Sequence, residues 1–168
     1  MGKGIIMATV THDDIYKEVR AYLLGLFSCS SEMVIKGFQN GSPLPVDAIV
    51  MSILFEKAFD VSANYYEPVK ATTNVQQSVQ VSMQVDFYGT QASTRVRKLA
   101  NLWKNQYTTE RLNKCQPLYC KDPQQIIFIN EKSQYEPRWM LELELQYNPE
   151  FEHEQQYLDM PNIDFNKV

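Results

Sequence analysis

Three carboxylates have the spacing of a metal-binding cluster. Glu142 and Glu144 are two positions apart in an alternating stretch, so in a strand they project from one face, about 7 Å apart. Asp86 lies in a second stretch of this kind and can reach the same face. Such carboxylates hold Mg²⁺ in nucleases, which makes a metal-dependent nuclease one alternative function. No lysine or histidine follows at a spacing suited to activating water, so ordinary solvated acids are the simpler interpretation.

Histidine and cysteine give no stronger indication of chemistry. His12 is followed by two aspartates, which are typical of the first turn of a helix, where the helix dipole favours acids. Cys115 and Cys120 lack a second pair and a nearby histidine, and together with Cys29 they form no even framework. We therefore expect free thiols in a reducing compartment, no metal or cofactor site and no catalytic residue. The protein is predicted not to be an enzyme.

Two alternating stretches predict the elements that position these residues. From Val79 to Phe87 every odd residue is apolar and every even residue is polar, which is the period of a strand with one buried and one solvent-facing side. The same pattern runs from Tyr135 to Tyr147, and Asn148-Pro149 should end it. We expect both strands in one sheet with a single covered face.

Two segments have helical spacing. Thr11 and Asp14 resemble a capping box that begins a helix running to about Phe27. Thr90 is predicted to cap a second helix that ends near Asn105. Each segment has one apolar stripe at spacings of three and four residues, so both helices should pack on the sheet.

Shorter elements complete the predicted fold. Met33 to Phe38 and Ala48 to Phe59 are interpreted as a hairpin joined across Asn40-Gly41, and Ile126 to Ile129 as a short strand. Pro117 to Tyr119 is predicted to lie in a connection. Val61 to Asn74 is predicted to be a long loop. Its adjacent residues Tyr65 and Tyr66 either form a contact surface or close the edge of the core.

The fold class that follows is α+β. We predict a mixed, largely antiparallel sheet of about five strands with two main helices packed on one face. A chain of 168 residues suits one domain, which we place at residues 11–149, after an N-terminal extension at 1–10 and before a C-terminal tail at 150–168. The net charge of −4 argues against a dedicated nucleic-acid binder. The apolar run Ile5 to Val10 is too short for a membrane span.

Three regions are candidates for contact with a subunit or partner. The first is the tyrosine pair in the predicted loop. The second is the basic cluster of the second helix, Arg95, Arg97 and Lys98, with Lys104 nearby. The third is the tail, where acids are interleaved with apolar residues, so that it should dock on its own domain or on a neighbour. The apolar tail residues are Phe151, Tyr157, Leu158, Met160, Ile163 and Phe165.

Several short motifs, in this order, resemble the neck or tail-terminator proteins of tailed bacteriophages. They are QVDFYG at Gln84 to Gly89, PLY at Pro117 to Tyr119 followed by Asp122-Pro123, and SQYEPRWMLELELQYNP at Ser133 to Pro149. In that family a strand ending in DFYG leads into a helix, and a long strand with the YE, RW and QYNP pattern closes the sheet. The resemblance covers residues 11–149.

The resemblance implies a structural role. It implies a subunit that assembles as a ring of six on the last ring of the tail tube, stops tube growth and joins the tube to the head-side connector. In contractile tails the sheath is a further partner. DNA would pass through the ring without specific binding, and no membrane is involved. Assembly in the host cytoplasm and a place in the virion neck follow, with a head-completion or baseplate adaptor as the alternative.

Overall fold

The computed structural model describes residues 9–38, 43–129, 132 and 134–155, which form three α-helices and nine strands. The helices are α1 His12–Phe27, α2 Ala92–Trp103 and α3 Gln106–Thr109, with a short 3-10 turn at Ser31–Met33. The strands are β1 Val34–Lys36, β2 Ile49–Ala58, β3 Ala63–Glu67, β4 Thr72–Gln76, β5 Val79–Tyr88, β6 Gln116–Cys120, β7 Gln124–Ile129, β8 Tyr135–Tyr147 and β9 Glu150–Glu154. The predicted α+β class is confirmed.

Six strands form the main sheet in the order β1-β2-β5-β8-β6, with β7 also paired to β8. The two long strands predicted from alternation are its centre, and β8 has the predicted bounds. The predicted hairpin of β1 and β2 is wrong, because these strands are parallel. Parallel pairing requires that the connection between them return the chain to the end of the sheet where β1 began. The turn predicted at Asn40-Gly41 lies outside the described residues.

A second, small sheet has the order β3-β4-β9. It continues β2, β5 and β8 beyond short breaks, since the amide of Phe59 donates to Ser78 O at 3.0 Å and that of Gln77 to Pro149 O at 3.3 Å. The predicted loop from Val61 to Asn74 is therefore wrong. Its strands are rich in Asn, Thr and Tyr and have little apolar alternation, because the small sheet has no thick core on either side.

Another correction concerns β6. The segment Pro117 to Tyr119, predicted to be a connection, lies in a strand at the edge of the main sheet. The register shifts between Pro117 and Tyr119. An edge position and an irregular register are where a strand tolerates proline, because one of its sides needs no backbone donor.

Both main helices pack on the face of the main sheet formed by the odd residues of β5 and β8, as predicted. Val19 and Leu23 of α1 and Leu99 of α2 are fully buried against Met83 and Leu143. Trp103 closes this core, and its indole Nε1 donates to the carbonyl of Glu144 at 3.2 Å. The rings of Tyr22 and Trp103 meet edge to face at 6.1 Å. We call this side of the sheet the helix-covered face.

The two main helices begin in different ways. The capping box of α1 is confirmed: the amide of Asp14 donates to Thr11 Oγ1 at 3.3 Å, and the amide of Thr11 donates to Asp14 Oδ2 at 3.0 Å. Thr90 does not cap α2, which begins after Gln91 without a side-chain cap. Gly89 turns the chain there with φ of 87°, and a Cβ on it would collide with Asp47.

The opposite side of the central strands, which we call the open face, bears no helix in the described part of the chain, yet three of its polar residues are buried. Ser82, Asp86 and Glu144 have relative exposures of 0%, 4% and 2%. The expectation that this face is simply solvated is wrong for them. They lie on the two central strands, where neighbouring long side chains cover them. Asp86 and Glu144 also accept hydrogen bonds from these neighbours.

Candidate subunit and partner interfaces

The three carboxylates considered for metal binding each have a separate partner. Asp86 Oδ1 accepts from Arg138 Nε at 3.1 Å, and its Oδ2 accepts from Gln84 Nε2 at 2.7 Å. Glu142 forms an ion pair with Lys121, and Glu144 accepts from Gln80 Nε2 at 2.8 Å. Within the described ranges, no group of three His, Cys, Asp or Glu side chains could hold a metal ion. The arrangement gives the nuclease alternative no support.

His12 has a structural partner on the sheet. Its Nε2 lies 2.9 Å from Glu56 Oε2, and the same oxygen accepts from the Tyr147 hydroxyl at 2.9 Å. The bond to His12 is the main reason why the pKa of the Glu56 carboxyl is lowered. Burial, helped by the bond to Glu56, raises the pKa of the Tyr147 phenol to about 12. This cluster fastens the start of α1 to the border of the helix-covered face.

All three cysteines are free thiols, and two of them, Cys115 and Cys120, lie in unreactive surroundings. Cys115 is buried, and its Sγ donates to Glu18 Oε2 at 3.3 Å. The same carboxylate accepts from the backbone amides of residues 113–115, so Glu18 holds the segment before β6. Burial, and then the nearby Glu18 charge, raises the pKa of the Cys115 thiol. Burial also raises that of Cys120. A reactive cysteine would need the opposite shift.

The basic cluster of α2 divides into two parts. Arg95 Nη1 donates to Asp47 O and Lys98 Nζ to Leu26 O, both at 2.9 Å, and both cations lie about 6 Å from the Phe27 ring centre. They secure α2 to the C-terminal end of α1, where the helix dipole favours cations. Arg97 is different. It is exposed and lines an open groove of about 300 Å³ with Lys104 and Lys121.

Tyr65, Tyr66 and Phe151 all lie in the small sheet. Tyr65 and Tyr66 are neighbours in β3 and so lie on opposite faces. The register pairs Val75 with Asn64 and Phe151, which places Phe151 on the same face as Tyr66. Phe151 is 63% exposed and Tyr65 is 58% exposed. The face with Tyr65 also bears the glutamates of β9, whereas the other face bears Tyr66 and Phe151.

The tail is described only at its start. Residues 150–154 form β9, which pairs with β4, and the amide of Gln155 donates to Ala71 O at 3.0 Å. The other apolar tail residues lie outside the described residues. They are Tyr157, Leu158, Met160, Ile163 and Phe165. Their interface role, and that of the other candidate residues, stays a prediction.

Sequence reasoning missed one exposed apolar surface. Ile127 and Ile129 of β7 pair with Pro137 and Tyr135 of β8, so all four side chains share one face. Ile127, Ile129 and Tyr135 are 83%, 55% and 79% exposed. The apolar run in β7 is typical of a core strand as much as of a surface strand, which is why the pattern alone did not reveal it. We call β7 with residues 135–140 of β8 the β7–β8 ribbon.

Comparison with known protein families agrees with the resemblance that the sequence motifs indicate. Residues 13–168 match the model of a family described as phage neck terminator protein. The chain belongs to this family. It is therefore a structural protein of the bacteriophage neck, a location that places it in the virion. The resemblance inferred from the motifs is confirmed.

Two further findings concern related proteins and membrane-spanning helices. No curated protein matches the chain. No helix in the described ranges is long and apolar enough to cross a membrane.

Proposed function

We propose that this neck terminator forms a ring, of six subunits, that caps the tail tube and joins it to the head-side connector, and to the sheath where the tail contracts. The ring forms in the host cytoplasm and lets DNA pass without specific binding. The body at residues 11–149 builds the ring, and the segments outside it supply contacts. Tyr65, Tyr66, Arg95, Arg97, Lys98 and the tail are assigned to the subunit and partner contacts.

The observation that carries this proposal is the unlike character of the two ends of the subunit. The β7–β8 ribbon projects past β5 at the beginning of β8, whereas the small sheet continues the strands beyond the end of β8. One end is apolar and the other is acidic and aromatic. A closed ring needs two different patches that meet heterologously, and a subunit with unlike ends supplies them.

Charge supports the same role. With a net charge of −4 the chain lacks the basic surplus that would bind DNA tightly along a channel. The buried acids of the open face each have a partner within the subunit, so they are available neither for metal binding nor for cutting DNA. These features suit a passage for DNA more than an enzyme acting on it.

The test is an in vitro assembly assay. Tail tube protein is polymerised with and without the neck terminator, and tube lengths and ends are measured by electron microscopy. We expect shorter tubes with a ring at one end, and native mass spectrometry should give a six-subunit species. Unchanged tube growth would contradict capping. Label at the distal end of intact tails would favour the baseplate adaptor, and label on the head alone would favour head completion.

A further inference from the structure

The β7–β8 ribbon has a surface that is unusual for a free monomer. The last β5 residue paired with β8 is Tyr88, opposite Arg138, so among the described residues the ribbon beyond this point has two strands. Two-stranded ribbons are marginally stable alone. One face of this ribbon is nevertheless covered with exposed Ile127, Ile129 and Tyr135. A contiguous apolar patch of this kind marks a contact surface.

The outer edge of β7 is also open. In the described part of the chain, β7 pairs with β8 alone, so its other side presents backbone donors and acceptors. The strand, QQIIFI, has no charged residue, proline or glycine to prevent pairing with another chain. An apolar, uncharged edge is a template for strand addition. The surface thus accepts an extended segment with apolar side chains at every second position.

Residues 156–168 of the chain have this chemistry. Ile163-Asp164-Phe165 alternates in period two, and so does Leu158-Asp159-Met160 before Pro161. In an added strand, Ile163 and Phe165 would lie on one face, where they match Ile127 and Ile129. The acid between them would point to the other side. This segment can therefore supply both the backbone and the apolar side chains that the ribbon lacks.

Distance excludes the ribbon of the same subunit. β8 has 13 residues and spans about 40 Å, at about 3.3 Å per residue. Gln155 lies beyond the far end of β8, whereas the apolar ribbon face lies at the beginning. The ten residues from Gln155 to Phe165 reach at most about 36 Å when fully extended. Even a right-angle bend between β8 and β9 leaves the ribbon out of reach.

We propose that residues 156–168 of one subunit add as a strand to the outer edge of β7 of a second copy, with Ile163 and Phe165 covering Ile127 and Ile129. The contact is heterologous, because one subunit donates the segment at one end and accepts another at its opposite end. This contact depends on the proposed function in one respect, because both require that copies of the chain associate.

Disulfide trapping between full-length chains tests the pairing directly. One chain has Ile127→Cys and another has Phe165→Cys, and the two are mixed in equal amounts under mild oxidation. A disulfide requires Cβ atoms about 4 Å apart, so only docked residues are trapped. We expect a covalent dimer containing one chain of each kind, and little from either variant alone. The native thiols Cys115 and Cys120 are buried and should contribute little background, and the partly exposed Cys29 is replaced by Ser in every variant.

Val69→Cys is the matched control for the accepting surface. Val69 is a β-branched residue that is 95% exposed, and it lies between β3 and β4, away from the ribbon. Mixed with Phe165→Cys, it should give about tenfold less dimer than Ile127→Cys. Equal yields from the two mixtures would overturn the proposal. So would a disulfide within a single chain in the Ile127→Cys, Phe165→Cys double variant without any covalent dimer.

Ile127→Asp separates this contact from tube capping. Asp at position 127 puts a charge into the apolar contact and leaves the core untouched, whereas Val69→Asp makes the same kind of change elsewhere. In native mass spectrometry across a concentration series, Ile127→Asp should reduce the oligomer about tenfold relative to Val69→Asp. If both variants associate alike, the strand-addition model is wrong. Wild-type protein that still caps tubes in that case would leave the proposed function standing.

Discussion

The two faces of the central strands are stabilised by different interactions. On the helix-covered face, apolar residues from β5 and β8 interlock with α1 and α2 and exclude water. On the open face, the buried carboxylates of Asp86 and Glu144 accept hydrogen bonds from neighbouring polar side chains. The first face is stabilised by burial and close packing, which any well-fitting apolar set can provide. The second depends on particular pairs, because a buried polar group without a partner is costly.

This difference bears on the role of each face. Along the centre of β5 and β8 the helix-covered face is buried under α1 and α2, so this part supports the fold. On the same side of the sheet, the start of β8 at Tyr135 and Pro137 is exposed. The buried acids of the open face, Asp86 and Glu144, are bonded to side chains of the same subunit, so they offer no unpaired charge to a partner. Two exposed surfaces that contain apolar side chains, the β7–β8 ribbon and the small sheet, lie at opposite ends of the central strands. Partner contacts are therefore expected at the ends more than on the broad faces.

Leu143→Ala should have the largest effect on stability. Leu143 is fully buried opposite Met83 and against the helices, so truncation leaves a cavity. We expect the free energy of unfolding to fall by about 2–5 kcal/mol, measured by urea denaturation. Gln146→Ala in the same strand, but on the open face, should cost less than about 1 kcal/mol. Equal losses would mean that the two faces do not differ as described.

The Asp86–Arg138 pair should give the next largest effect. Arg138→Met leaves the Asp86 carboxylate, which is 4% exposed, with only Gln84 as a side-chain partner. We expect a loss of about 2–3 kcal/mol, below the value for a fully buried pair because Arg138 is partly exposed.

Replacing both members of this pair provides the control. The double variant Asp86→Leu, Arg138→Met removes the unpaired charge, so it should be more stable than Arg138→Met alone. Chemical denaturation of the single and double variants forms a double-mutant cycle. If the losses simply add, the two side chains are not coupled and the open face is not held by specific pairs.

The sequence predicted the elements that bury one face. α1, α2, β5 and β8 show a clear period because a thick core lies on one side only, and their positions were correct to within about two residues. The small sheet was missed, since neither of its faces contacts a thick core and its strands have no apolar alternation. The parallel pairing of β1 and β2 depends on the path of a connection, which local patterns do not encode.

The candidate surfaces illustrate the same limit. Arg95 and Lys98 were correctly recognised as cations on one helix, but their bonds to Asp47 O and Leu26 O depend on tertiary packing. The exposure of Ile127 also depends on packing, because β8 is longer than the β5 strand beside it. Composition alone cannot distinguish an apolar strand in the core from an apolar strand that is exposed at the surface.

Tyr147→Phe should have the smallest effect, and one that depends on pH. Near neutral pH the variant loses the hydrogen bond to Glu56 at the border of the helix-covered face, which should cost about 0.5–1.5 kcal/mol. In the folded protein the Tyr147 pKa is raised from 10.0 to about 12. This group therefore contributes stability that is fully present below pH 10 and is lost as the pH rises through 12.

The variant lacks this titration, so the stability difference between wild type and Tyr147→Phe should shrink in that window. Urea denaturation at several alkaline pH values measures it. Tyr22 and Tyr88 also have raised pKa values, chiefly through burial, but both proteins retain them, so their contribution cancels in the comparison. A difference that stays constant up to pH 12 would show that Tyr147 is accessible to solvent. In that case the cluster of His12, Glu56 and Tyr147 would not exclude water from the border of the helix-covered face.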